Sequence, residues 1–146
     1  MKQEQTTHPT PGRPSGFFAL HRYYIWANRM RTSFDELLQE KQLATKPLRK
    51  GWDIEANLYM SYWYGGLYVV VEGWKELGLR NDVIDNLLKS PNVELLRRYR
   101  NGVFHFQKEY HDERFLGFMR DGRDAVEWVR SLNLEFGRVF LHRLRR

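Results

Sequence analysis

Cysteine is absent from this chain of 146 residues. That excludes a disulfide framework, a thiolate metal site and a cysteine nucleophile, and it fits a reducing, cytoplasmic setting. No run long enough to span a bilayer is free of charged residues, so no membrane-crossing segment is expected. The opening Met1-Lys2-Gln3-Glu4-Gln5 lacks the apolar stretch of a secretory signal. Also missing are a Ser/His/Asp order, a phosphate-binding glycine loop and a His-Glu-x-x-His pair. No pattern suited to paired strands is visible. The expectation is an all-α protein with no metal and no cofactor.

Proline is sparse as well. Of five prolines, Pro9, Pro11 and Pro14 fall with Gly12 in a polar stretch, so residues 1–15 read as a flexible arm. Residues 16–146 read as a single helical domain, long enough to bury a real core. Aromatic residues make up 15% of the chain, which suggests a core or interface built on large rings. The net charge of +6 speeds encounter with an anionic partner such as RNA but sets no sequence preference.

From Gly16 the apolar residues follow helical spacing. Phe17, Leu20, Tyr24, Ala27, Phe34, Leu37 and Leu38 mark one face of a long first helix. Lys46-Pro47 and Lys50-Gly51 break it. A second helix is expected from a cap at Asp53 through Leu77, with Gly78 as its C-terminal glycine. Its run Val69-Val70-Val71 suits a strand by propensity, yet turn signals appear only beyond it, so a buried helix is preferred. Gly65-Gly66 inside that helix costs about 1 kcal/mol per glycine relative to alanine; close approach of another backbone and a local kink both explain it. Asn81 caps a short third helix over residues 82–89. Ser90-Pro91 opens a helix reaching about Tyr110. Asp121 opens the last, with Ala125, Trp128, Val129, Leu132, Phe136, Val139 and Phe140 on its apolar face. The expected architecture is an all-α, up-and-down bundle of four to five helices.

Within the fourth helix lies Arg100-Asn101-Gly102-Val103-Phe104-His105. An arginine is a permanent cation suited to phosphate, and histidine exchanges protons near neutral pH. Cleaving a phosphodiester without a metal needs both abilities. On an ideal helix Asn101 and His105 stack on one face, with Arg97 a turn earlier on the same stripe. Arg100 lies five residues before His105, so its direction diverges by roughly 140°. Either its side chain curls round, or the helix is distorted, or a second copy of the chain completes the site. Gly102 exposes backbone between the two groups, which suits close approach of a second chain or of a neighbouring core ring. The bland alternative is a boundary histidine between Phe104 and Phe106, beside a solvated arginine face.

Other clusters carry less. Glu109, His111 and His105 include metal-ligand types, but His111 is rotated away on a helix, so a solvated helix end is expected there. Glu72 either faces solvent or pairs with Arg97 or Arg100. The basic terminus Arg138, His142, Arg143, Arg145 and Arg146 complements a helix dipole or contacts RNA phosphates.

The stretch from Leu96 to Gln107 resembles the signature of the HEPN superfamily, an arginine, a polar residue, three further residues and a histidine. That resemblance implies a helical bundle of four or five helices that forms a homodimer, its two motifs lining one cleft. It implies a metal-independent endoribonuclease, in a toxin or defence setting, or a relative that has lost activity and binds RNA or a protein. Arg100 would bind phosphate and stabilise the transition state, Asn101 would orient it or the histidine, and His105 would transfer protons. Arg97 is a further candidate for RNA contact, and Gly102 for approach of the second chain. A protein antitoxin or a nucleotidyltransferase is the partner implied. Some toxin members carry a modified tyrosine two residues after the histidine; here that residue is Gln107, so neutralisation by that route is not expected.

Overall fold

Large rings set where the helices of this protein meet. A computed structural model describes residues 16–43, 54–121 and 124–145. Six helices lie among these: α1 (Phe17–Leu43), α2 (Ile54–Glu76), α3 (Asp82–Leu87), α4 (Asn92–Phe104), α5 (Glu113–Asp121) and α6 (Ala125–Leu144). No strand occurs among the described residues. The arm at residues 1–15, the breaks Lys46-Pro47 and Lys50-Gly51, and the cap Asp53 lie outside the described residues.

Helix α2 is the hub, packing against α1 on one side and α4 on another, while α6 closes on α1 and α3, and α5 covers α4. Its β-branched run is helical, with Val70 and Val71 fully buried; tertiary burial overrides the strand propensity. The two interior glycines are explained by close approach rather than by a break. A Cβ on Gly66 would stand 3.2 Å from that of Ala27 in α1, and one on Gly65 would stand 2.8 Å from the Phe104 ring of α4. Around them Tyr64, Tyr99 and Phe118 form a triangle with ring centroids 5.2–5.9 Å apart, within the range at which aromatic edges and faces attract. Trp74, Phe136, Phe140 and Phe17 continue the core to the other end.

The caps follow the sequence closely at several points. Gly78 adopts φ +62°, with its N–H donating to Lys75 and that of buried Leu79 donating to Trp74. That paired geometry satisfies the last carbonyls of α2. Asn81 caps α3, its side chain accepting from the N–H groups of Val83 and Ile84. Ser90 accepts from Asn92 N–H at 3.1 Å, so α4 begins one residue beyond Pro91.

Three expectations fail. Six helices stand among the described residues in place of the four to five expected, because the segment read as one long fourth helix divides into α4 and α5. Helix α4 ends at Phe104 rather than near Tyr110, and Asp121 closes α5 instead of opening the last helix, which begins at Ala125. The physical reason is a second start signal within residues 105–112. Asp112 accepts from the N–H of Arg114 at 2.9 Å and caps α5, while Gln107 donates to the carbonyl of His105 at 2.8 Å. Such side chain–backbone bonds compete with continuation of a helix.

Replacing a fully buried ring should show how much this packing contributes. Phe136→Ala is expected to lower the unfolding free energy by about 3–5 kcal/mol. Leu141→Ala, on the exposed side of the same helix, should change it by less than about 0.5 kcal/mol. Urea denaturation of the two variants checks this.

Candidate functional site

The Arg-Asn-Gly segment lies at the C-terminal end of α4. Arg100 turns toward α2. Its two terminal nitrogens donate to the two carboxylate oxygens of Glu72, each at 2.9 Å, and its Nε donates to Asn101 Oδ1 at 3.0 Å. The guanidinium carbon lies 4.8 Å from the Tyr68 ring centroid. A fork on a carboxylate fixes orientation as well as charge, and the ring beneath adds a cation–π attraction of about 0.5–1 kcal/mol. Of the two partners expected for Glu72, Arg100 takes the place. The arginine side chain is 19% exposed and the glutamate 44%, so solvent screens the pair and its net worth stays within about 1 kcal/mol. Burial and the Glu72 carboxylate push the Tyr68 phenol above its ordinary value, against the pull of Arg100.

His105 is the first residue past the helix, with φ −120° and ψ 129°. Its N–H still donates to the Asn101 carbonyl at 3.0 Å, but the extended backbone takes the imidazole off the helical stripe. It lines a cleft of about 550 Å³ between α2, α4, α5 and the connecting segment. The structure therefore joins the side chains of Arg100 and Asn101, while Asn101 and His105 line different clefts. Within one chain, the expected helical stacking of Asn101 on His105 does not form, because the helix ends too early.

Arg97 pairs with Glu94, at 2.8 and 2.5 Å. That contact holds the Glu94 carboxyl below its ordinary value and raises Arg97. Arg97, Arg98 and Asn101 line a second cleft of about 620 Å³, facing Asp112 and Arg114. Gly102 is buried against α5: a Cβ there would stand 2.9 Å from the Phe115 ring and 3.2 Å from the Arg114 Cβ. Of the two readings of this glycine, the neighbouring core ring is the one the chain itself supplies. Among the described residues no group of three or more His, Asp or Glu gathers as a metal set.

A polar junction on the far side of α2 escaped the sequence reading. Asn133 of α6, almost fully buried, accepts from Trp63 Nε1 and donates to Asn28 Oδ1, each at 3.0 Å. Asp35 of α1 accepts from Arg130 at 2.8 and 3.2 Å and from Arg31 at 2.7 Å. The i,i+4 spacing of Arg31 and Asp35 was a visible signal; the reach to Arg130 was not. The basic terminus is partly structural, with the Arg143 guanidinium over the rings of Phe17 and Trp74.

No protein-family model matches this chain, and no curated protein or solved structure matches it either.

The junction makes a pH prediction. Burial pushes the Asp35 carboxyl up, but the hydrogen bonds and charges of Arg130 and Arg31 outweigh it and hold the group below its ordinary 3.8. A lowered folded value means that the stabilisation is complete above 3.8 and is lost as pH falls through the folded value. Asp35→Asn is expected to be less stable than the parent at neutral pH and to show a shallower loss below about pH 4. Urea midpoints measured across pH for both proteins check it.

Proposed function

We propose that the protein is a metal-independent endoribonuclease of the HEPN type, working as a homodimer whose two motif helices share one RNA phosphate. The observation that carries this reading is the contrast between Arg100 and His105. The cation is oriented by Asn101 and Tyr68, with Glu72 holding its fork until a phosphate displaces it, while the imidazole stands exposed and free of side-chain partners among the described residues, at the end of the same helix. A preorganised guanidinium suits charge building on a phosphorane-like transition state. An open imidazole suits proton transfer.

The chemistry uses the substrate's own 2′-hydroxyl. One His105 removes its proton, the 2′ oxygen attacks phosphorus, and the bond to the 5′ oxygen breaks. A second His105, from the other chain, protonates that leaving oxygen. The products are a 2′,3′-cyclic phosphate and a 5′-hydroxyl. Arg100 and His105 leave α4 in different directions, which favours a site completed across a two-fold contact. Asn101 holds the Nε edge of Arg100, leaving its fork for phosphate oxygens once Glu72 swings aside.

That fork also favours a second reading, because Glu72 stands where a phosphate would bind. A module whose arginine is permanently engaged would bind RNA or a partner protein, such as a nucleotidyltransferase, without cutting. One experiment separates the two. A defined RNA pool is incubated with the protein in excess chelator, and the cut ends are mapped. His105→Ala is expected to lower the rate by about 10²–10⁴-fold, Arg100→Ala should abolish detectable cutting, and DNA should resist. Glu72→Gln should raise the rate at limiting RNA by about two- to fivefold, the worth of a solvent-screened ion pair. Cutting unchanged in His105→Ala would sink the enzyme reading.

A further inference from the structure

The two clefts around the motif adjoin and have opposite characters. The first is charged, its three arginines, Arg97, Arg98 and Arg114, standing with Asn101 among four carboxylates. The second is lined by the rings of Tyr99, Phe106, Tyr110 and Phe115, with Met60 and the carboxamide of Asn57. Glu109 and His111 line both, so the clefts share a rim.

Phe106 is 95% exposed and Tyr110 87%. Leaving a large apolar side chain in water forgoes about 1.5–3 kcal/mol of burial. Their segment is nevertheless braced, since Gln107 donates to the His105 carbonyl and accepts from Arg114, each at 2.8 Å. A held segment that presents two rings to solvent is a surface made for a flat ligand.

The polar groups narrow the choice. Arg97 is engaged by Glu94 and Arg114 by Asp112. Of the other lining groups, Arg98, Asn57 and Glu109 have no hydrogen-bond or ion-pair partner among the described residues. An apolar peptide side chain would fill the ring cleft and leave these groups idle. A nucleotide matches both halves: a π-face for the rings, a hydrogen-bonding edge for the amide and carboxylate, and a phosphate for Arg98.

We infer that the adjoining clefts bind one unpaired RNA nucleotide, its base stacked on Phe106 and Tyr110 beside His105 and its phosphate toward Arg98. The Asn57 carboxamide meets the base edge, and Glu109 accepts from an amino group such as adenine's. A base inside a duplex cannot reach these rings, so the substrate is single-stranded at this position. The inference rests on the ribonuclease reading for the identity of its ligand as RNA.

The test is binding without cleavage. A short 2′-O-methyl oligoadenylate, whose nucleophile is blocked, is titrated against the full chain alongside an abasic oligomer of the same backbone and a duplex. The oligoadenylate is expected to bind tightest. Phe106→Ala and Tyr110→Ala should each weaken it about tenfold, the usual scale of one base–aromatic stack, with the abasic oligomer unaffected. Arg98→Ala should weaken both oligomers and flatten their salt dependence. Both rings are exposed, so these variants keep the fold. The inference is overturned if Phe106→Ala weakens both oligomers equally or neither. It is also overturned if that variant changes self-association in sedimentation instead, which would make the rings a contact between copies. No bond is cut in this assay, so a protein that never cleaves RNA can still have the base site. Conversely, failure of the base site leaves the Arg100 and His105 chemistry intact.

Discussion

The seating of α4 on α2 governs the geometry of the candidate site. Gly65 lacks a side chain and Phe104 occupies the space. Four residues earlier, Ser61 meets the Tyr99 hydroxyl at 3.2 Å, and one turn beyond Tyr68, Glu72 takes the fork of Arg100. These contacts run along α2 in the order Ser61, Gly65, Tyr68 and Glu72, spaced three to four residues apart as one helical stripe requires. A shift of α4 by one turn along α2 would take Phe104 off Gly65 and part Arg100 from Glu72. The register of the two helices is thus fixed by shape at one point and by charge at another. Arg100 inherits its position from both.

The opposite side of α2 shows a different way of fixing helices. There Trp63 reaches the buried amide of Asn133, and Asp35 joins Arg31 and Arg130 across α1 and α6. Polar contacts of this kind add little net stability, because each replaces bonds to water. Leaving one of them unmade inside the protein is costly. The junction therefore discriminates against wrong helix placements more than it deepens the right one. With α1 and α6 held there, the α2–α4 face is left to carry the candidate site.

Helical periodicity, the glycine after α2, the Asn81 cap and the residues of the core face were all legible in the sequence, because each is a local signal. Phe17, Leu20, Ala27 and Phe34 are buried as their spacing predicts, as are Trp128, Val129, Leu132 and Phe136. What the sequence hid was competition between signals. Val103, Phe104 and Phe106 continue an apolar helical pattern, while Asp112 begins another helix, and the pattern alone does not say which prevails. The Arg-Asn-x-x-x-His spacing was visible, but its geometry was not, since the helix ends inside the motif. The Glu72 fork could be anticipated as a pairing, though not distinguished from a solvated carboxylate. Contacts such as Asp35 with Arg130 join residues far apart in sequence and leave no local trace.

The competition has a physical resolution that accounts for the exposure around His105. On a continued helix Phe106 would follow Tyr99, Gly102 and Val103 along one side, and the bare face of Gly102 would be available to it. In the folded chain that face holds Phe115 instead. Helix α5 brings two rings to the Tyr99 region at once, Phe115 at 5.5 Å and the fully buried Phe118 at 5.9 Å. A continued α4 could offer Phe106 alone. One fully buried ring and a second partly buried one outweigh Phe106 alone by up to about 1.5–3 kcal/mol, and the Gln107 and Asp112 side chains each supply a backbone hydrogen bond in place of helical ones. Phe106 is therefore displaced to solvent by Phe115, and His105 leaves the helix with it. The exposed imidazole and the exposed ring beside it have one cause, the occupation of the Gly102 seat by α5.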